Sequence, residues 1–336
     1  MKYVLLCDIH FGNKGNSDKF NQECLDFLNF VGEWCSDNLD DNFNTIFLGD
    51  WNHIRATTNN KTLNYSTEGL FALSNIGGMN TYMLLGNHDL YYLDRRDVHS
   101  IVIPEGDLGI KLITEPLKIE NNILLVPWMI GNETLKDLIQ EFSPDYVCGH
   151  FEIPSFSFNK KVKMDGEFDP AEYVGPKRIL SGHFHLRQEN GNITYIGNCF
   201  SHDYSDSNEW HNKGFAVLDT DTNEIQYVEW DKAPKYLVCP ISVFNKEMIE
   251  DNMYLRLLND INLKMEDVNK IMEEVKKDER INECVFVPIE LDVTGDASDI
   301  DIENVDNINI LVSDLLTKVE AEHIDNNKLI SIYNEL

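Results

Sequence analysis

Apolar positions in the first two thirds of this chain come in short runs that stop at polar, chemistry-bearing residues. Residues 3–8, Tyr-Val-Leu-Leu-Cys-Asp, read as a buried strand that ends on a carboxylate. Phe20, Cys24, Phe27, Val31 and Trp34 then recur at helical spacing and predict an amphipathic helix over 18–37. Residues 45–50 are the next strand, ending at Gly49-Asp50. A helix over 66–76 and a strand over 81–85 lead to Gly86-Asn87-His88-Asp89. Later strands are expected at 123–126, 146–148, 178–180, 193–196 and 215–218. This alternation of strands and helices implies a layered α/β fold. Polar residues at strand ends, drawn from distant parts of the chain, suit a site outside the carboxyl ends of the strands.

The pattern changes near Pro234. A strand over 254–258, helical spacing of Met265, Val268, Met272 and Val275, and a strand over 284–289 predict a small separate unit spanning 235–291. Residues 292–307 carry six acids and no base, which reads as a solvated acidic linker. Over 308–336, apolar residues from Ile308 to Val319 and from Leu329 to Leu336 predict two short amphipathic helices. Such helices cannot bury their faces alone, so they need a surface, their own protein's or a partner's.

Composition narrows the class. The 336 residues are 42% hydrophobic and 26% charged, ordinary values for a globular protein of two or three domains. Twenty-eight basic against 58 acidic residues give a net charge of −30, which disfavours general adhesion to nucleic acid or anionic membrane but leaves room for a local basic cleft. Bound divalent ions would dominate the field at such a cleft. The seven cysteines occur singly, without a CxxC pair, and read as reduced, buried residues of a cytosolic protein. Met1 to Leu6 run straight into the first polar motif, so no signal peptide is expected. The longest apolar runs are too short to span a bilayer. The expected location is the cytoplasm, that of the host if the chain is phage-encoded.

The chemistry lies in five pieces: Asp8-Ile9-His10, Gly49-Asp50, Gly86-Asn87-His88-Asp89, Gly149-His150 and Gly182-His183-Phe184-His185. Residues i and i+2 at a strand end can point the same way and grip one ion, and glycine lets the backbone turn tightly beside them. Each piece alone is weak evidence. Together they supply oxygen and imidazole ligands, without thiolate, for two divalent metals sharing one carboxylate. That donor set suits manganese, magnesium, iron or zinc. Two metals about 3.5–4 Å apart are a recurring device for in-line displacement at phosphorus.

The motif series resembles the calcineurin-like metallophosphoesterases, and more finely the SbcD and meiotic-recombination-eleven class of DNA repair nucleases. In pattern it is most similar to the short phage form, the nuclease subunit of the recombination endonuclease. The resemblance rests on residues 49–55 (Gly-Asp-Trp-Asn-His-Ile-Arg), Val126-Pro127-Trp128-Met129, Gly149-His150-Phe151-Glu152 and Ser181-Gly182-His183-Phe184-His185. Tyr195-Ile196-Gly197 and Lys213-Gly214-Phe215 add to it. It covers about residues 1–232; beyond them the chain matches in length and pattern only.

The resemblance implies a four-layer β-sandwich flanked by helices over 1–234, a small α+β capping, DNA-binding domain over 235–291, and a helical segment over 308–336 for docking a partner. Asp8, His10 and His185 would bind one metal, Asn87, His150 and His183 the other, and Asp50 would bridge. His88 would be the catalytic histidine with Asp89 orienting it, and His53 would contact the phosphate or steady the ligands. The implied activity is a manganese-dependent (magnesium being the other choice) DNA endo- or exonuclease subunit of a double-strand-break processing and recombination complex. The implied partners are DNA, an SbcC/Rad50-like coiled-coil ATPase and a second copy of the chain within a heterotetramer, with 18–37 and 60–76 as candidate dimer surfaces. Gly197-Asn198-Cys199-Phe200 departs from the family's Gly-Ser/Thr-Pro, and Trp51-Asn52 replaces two apolar residues.

Three readings compete: the partnered nuclease, a stand-alone metallophosphodiesterase or phosphatase on nucleotides or small phosphoesters, and a non-catalytic binding subunit. The extra domain and tail favour the first, and the intact ligand set argues against the last. Arg55, Arg95, Arg96, Lys160, Lys161, Lys177 and Arg178 are candidates for the DNA backbone. His99, His202, His211 and His323 read as surface or structural histidines, and Trp51, Trp128 and Trp210 as core.

Overall fold

A computed structural model describes residues 1–104, 108–158 and 163–288. Lys160, Lys161, the acidic linker, the helical tail and His323 lie outside the described residues.

Two six-stranded sheets carry the site. The first is ordered β12-β11-β1-β2-β3-β4, from β1 (Lys2–Leu6), β2 (Phe43–Phe47), β3 (Asn80–Leu84), β4 (Ile110–Ile113), β11 (Phe215–Asp219) and β12 (Glu224–Val228). Strands β1 to β4 run parallel, and β11 and β12 extend the sheet antiparallel. The second is ordered β5-β6-β7-β8-β10-β9, from β5 (Leu117–Ile119), β6 (Ile123–Val126), β7 (Tyr146–His150), β8 (Arg178–Gly182), β9 (Gln188–Asn190) and β10 (Ile193–Tyr195). Its centre, β6, β7, β8 and β10, is parallel, with an antiparallel strand at each edge. Strands buried on both faces read as continuous apolar runs, as 3–8 and 123–126 do.

Alternation along each strand sorts the core into layers. Tyr3, Leu5 and Cys7 of the β1 run, with Ile46, Tyr82 and Leu84, meet Ile123, Leu125, Tyr146, Cys148 and Leu180 between the sheets. Val4, Leu6, Phe47 and Met83 face the other way, onto helices α1 (Asp18–Asn38) and α2 (Asn60–Ser74). Leu124, Val126, Val147 and Ile179 pack on Leu135 and Ile139 of α3 (Leu135–Phe142). The order is helices, sheet, sheet, helix, so the α/β expectation holds.

Boundaries moved where polar residues start an element. Helix α2 begins six residues before its expected start because Asn59 caps it, its side chain accepting from the Thr62 N–H at 2.9 Å. Its first turn, Asn60-Lys61-Thr62, gives no apolar signal. Helix α3 is likewise N-capped by Thr134 and was not foreseen. Strands β4, β5, β9 and β12 lie at sheet edges, where few positions are buried to mark them.

A third sheet of three strands, ordered β13-β14-β15, is built from β13 (Lys235–Pro240), β14 (Met253–Asn259) and β15 (Ile281–Pro288). Leu237, Met253, Leu255 and Leu257 pack with Val275 of α4 (Met265–Val275). Its other face stacks Tyr236 on Tyr254, ring centroids 4.6 Å apart, and meets the start of α1 through Lys19 over Tyr254. Residues Met1–Val287 form one unit by their contacts. No helix among the described residues is long and apolar enough to cross a membrane.

Candidate metal centre

Each polar motif lands just past the carboxyl end of a strand. Asp8 and His10 follow β1, Asp50 follows β2, and Asn87 and His88 follow β3. His150 closes β7, and His183 and His185 follow β8. The two sheets set these ends side by side. Turning so abruptly requires unusual backbone: Asp8, His10, Asp50 and His183 all have positive φ, between 53° and 87°. Asp, Asn and His tolerate that region better than other side-chain-bearing residues. Gly86 must be glycine, because a Cβ there would meet Asp50 Oδ1 at 2.2 Å. At Gly49, φ +106°, a Cβ would come within 2.6 Å of His150 Nδ1.

Asp50 is the hub. Its Oδ1 accepts from the backbone N–H of His88 at 2.8 Å. Its Oδ2 lies 3.6 Å from His10 Nε2 on one side and 3.3 Å from His150 Nε2 on the other. Donor atoms of Asp8, His10 and Asp50 lie within 4.8 Å of one another, as do those of Asp50, His150 and His183. One terminal atom of the Asn87 amide sits 3.1 Å from both His150 Nε2 and His183 Nδ1. Without a cation, the amide is best satisfied with its nitrogen turned inward and its oxygen accepting from Arg55 Nη2 at 2.6 Å. A divalent ion held by these residues would reverse the preference, since a cation accepts lone pairs and not an N–H.

The electrostatics suit cations. Burial opposes charge on His150, but Asp50 outweighs it and lifts the imidazole to about 9. Burial likewise opposes the Asp50 carboxylate, and His150 overcomes it, holding Asp50 well below the usual carboxylate range. Burial first, then His150, depresses His183 to about 3. Burial also drives His10 far down and His53, aided by His88, to about 4. Neutral imidazoles are the form that binds metal. His10 Nε2, which faces Asp50 Oδ2, is buried without a hydrogen-bond partner, a cost that a cation would remove. The residues present therefore fit divalent metal, with Asp50 facing both ligand groups.

The second set of expectations fares unevenly. His88 stands over the site, its Nδ1 2.6 Å from the His53 carbonyl, its ring stacked on His53 and edge-on to His10. The His53 carbonyl, not Asp89, orients that ring. Asp89 is fully buried and accepts four backbone N–H bonds, from Asp50, Trp51, Asn52 and Gly86. It clamps two ligand-bearing loops together. His53 reaches His10, with Nδ1 atoms 3.4 Å apart.

Several candidates for phosphate contact are corrected. Arg96 is buried, ion-paired with Glu133 and Glu115, and donates to the Trp128 carbonyl at 2.8 Å. Lys177 and Arg178 sit at the start of β8, whereas His183 follows its end. Five residues of strand, roughly 16 Å, separate them. They pair with Asp145 and Glu189 there. Arg95 is half exposed, paired with Asp97 and over the Tyr92 ring. Arg55 is beside Asn87, within the site.

Trp51 is core, donating to Ser66 Oγ at 2.8 Å. Trp128 packs against His183, ring centroids 5.2 Å apart. All seven cysteines are free and buried. His211 is exposed and His99 half-buried. His202, read from sequence as a surface or structural histidine, is buried in the site, its ring 5.0 Å from that of His185. It lies seven residues past the end of β10, farther from its strand than the motif residues are from theirs, so sequence offered little signal for it.

Comparison with known proteins agrees with the resemblance. Over 240 residues the chain is 26% identical to Exonuclease subunit 1 of Enterobacteria phage T4, covering 68% of this chain and 67% of that one. No family model matches the chain. Among solved structures it is similar to a phosphopantetheinyl hydrolase from Mycobacterium tuberculosis, with 10% identity, 59% of this chain, 89% of that one and a TM-score of 0.31. It is also similar to GAP50, the anchor in the inner membrane complex of Plasmodium, with 11% identity, 69% and 90% coverage and a TM-score of 0.34.

Proposed function

We propose that this chain is a metal-dependent DNA nuclease subunit of a recombination and double-strand-break processing complex. The observation that carries the reading is the convergence of His10, His150 and the bridging Asp50 Oδ2, with Asn87 and His183 behind it. A pair of divalent ions there, manganese or magnesium, would supply charge neutralisation at a phosphodiester and a water of lowered pKa.

The chain's own residues do the rest. Asp8, His10 and His185 would hold one ion, and Asn87, His150 and His183 the other. Asp89 fixes the loops that carry Asp50 and Asn87. The His53 carbonyl accepts a hydrogen bond from His88 Nδ1–H, which leaves Nε2 for the reaction space. In its imidazolium form, His88 can donate the Nε2 proton to the leaving oxygen and return to the neutral Nδ1–H tautomer. His53 keeps a neutral ring against His10 and His88. Arg55, released when the Asn87 oxygen turns inward, is positioned to meet a phosphate oxygen, and Arg95 lies in the loop after His88. The capping unit over 235–291 is assigned to DNA contact. From sequence pattern alone, residues 308–336 are assigned to docking on a coiled-coil ATPase, with the acidic linker giving reach and a second copy completing the complex.

The test compares manganese-dependent cleavage of linear duplex and single-stranded DNA with hydrolysis of bis-nitrophenyl phosphate, using the full chain. Cleavage of DNA at rates far above the small ester supports the nuclease. Turnover of the ester alone would make the chain a stand-alone phosphodiesterase.

A further inference from the structure

The ligand set inherited from the motif series stops at His185, but the site does not. We propose that His202 is a further ligand to the ion held by Asp8, His10 and His185, and that it tilts this position toward a transition metal over magnesium. The proposal rests on the two-ion reading above.

One imidazole nitrogen from each of His10, His185 and His202 lies within 4.8 Å of the other two, the spacing of donors around a single ion. The His202 ring is 5.4 Å from that of His10 and 5.0 Å from that of His185. Phe20 and Phe200 also pack edge-on against it at 5.3 Å. His202 is 2% exposed, and its Nε2 has no hydrogen-bond partner. A purely structural histidine between two phenylalanines would leave that nitrogen desolvated and unpaired, which is costly. A ligand histidine would not.

The main chain is built to hold it. Asp206 Oδ2 accepts from the His202 N–H at 2.9 Å. The other Asp206 oxygen is ion-paired at 2.8 Å with Lys213, itself buried. Lys213 Nζ also donates to the His185 carbonyl at 2.7 Å. One buried pair thus positions both histidines at once.

The chemical consequence is selectivity. Asp8, Asp50, His10 and His185 give a mixed oxygen and nitrogen set that magnesium can share with water. A third imidazole displaces one oxygen donor and favours manganese, iron, cobalt or zinc.

The experiment is metal binding by calorimetry on the full chain, with manganese alone and in competition with magnesium, together with the visible absorption of the cobalt-loaded protein. His202→Phe keeps the ring packing against Phe20 and Phe200 and removes the nitrogens; His202→Ala is the second variant, and both are checked by thermal melting. Two manganese ions in the parent, with one weakened about 10- to 100-fold in His202→Phe, a changed cobalt spectrum and a smaller manganese preference, support the assignment. Two ions bound with parental affinity and an unchanged spectrum in a folded variant make His202 structural and overturn it. Fewer than two ions in the parent itself overturn the two-ion reading, and this proposal with it.

Discussion

The backbone N–H of Asp50 points at the carboxylate of Asp89, 3.0 Å away, and that same carboxylate takes the N–H groups of Trp51, Asn52 and Gly86. Two strand-end loops meet on one side chain. Burial and the nearby Asp50 push Asp89 up, to about 7, while the four amides favour its anion. Asp89→Asn puts an amide NH2 against backbone N–H groups. We expect about 2–4 kcal/mol lower stability by urea unfolding and weaker binding of both ions. If stability and metal affinity are unchanged and only the pH–rate profile moves, Asp89 acts on His88 and not on the loops.

Asp50→Ala should remove binding of both ions together, since one oxygen faces both ligand groups. Calorimetry with manganese reads this directly. A variant that keeps one ion at parental affinity would show that Asp50 serves a single site.

His88 is separable from metal binding. Its backbone N–H, not its ring, contacts Asp50, and the ring is tied to the His53 carbonyl. His88→Ala should keep two ions and lose about two to four orders of magnitude in rate on DNA. Loss of an ion on this substitution contradicts the role.

Arg96 and Arg95 should part company. Arg96→Ala strips a buried guanidinium from Glu133 and costs roughly 3–5 kcal/mol of stability. Arg95→Ala should leave stability unchanged and weaken DNA binding with a shallower salt dependence. Equal stability loss from both would mean that Arg95 is structural as well.

Glu23, on α1, makes the pH prediction. Burial between α1 and the third sheet, partly offset by Lys19 and Asn252, raises it from 4.5 to about 7. Below pH 4.5 it is protonated folded or unfolded and contributes nothing. Between pH 4.5 and 7 the folded state holds a proton that the unfolded state has lost, so stability declines as pH rises, and above 7 the penalty is complete. Glu23→Gln should therefore stabilise by on the order of 2 kcal/mol at pH 8 and by little at pH 4, read from denaturant midpoints. An equal gain at both values would trace the effect to packing.

The polar residues that converge were legible because each motif carries its own strand, turn and polar tip. The central strands followed from runs such as 3–8 and 123–126, whose burial on both faces makes them continuously apolar, while their sorting into two sheets is not marked in the runs. What stayed hidden depends on three dimensions. Lys177 and Arg178 are near His183 in sequence, but an intervening strand carries them to the far end of the sheet. Arg96 looks like any surface base until Glu133 closes on it. Asp89 bonds only to main-chain amides, which no side-chain pattern reveals. His202 stands alone in a loop, with no second ligand-type residue paired to it at a strand end, so it reads as an ordinary lone histidine.

The left-handed backbone at Asp8, His10, Asp50 and His183 has a consequence for the history of the chain. Each such residue costs the ion-free fold roughly 1–3 kcal/mol, and glycine at the same position would relieve that strain. The fold's own preference thus runs against its ligands. On the nuclease reading, a lineage released from metal binding would gain heat resistance first by accepting glycine at His10 or His183, whereas the Asp8 and Asp50 carboxylates also take backbone N–H groups that glycine would leave unpaired.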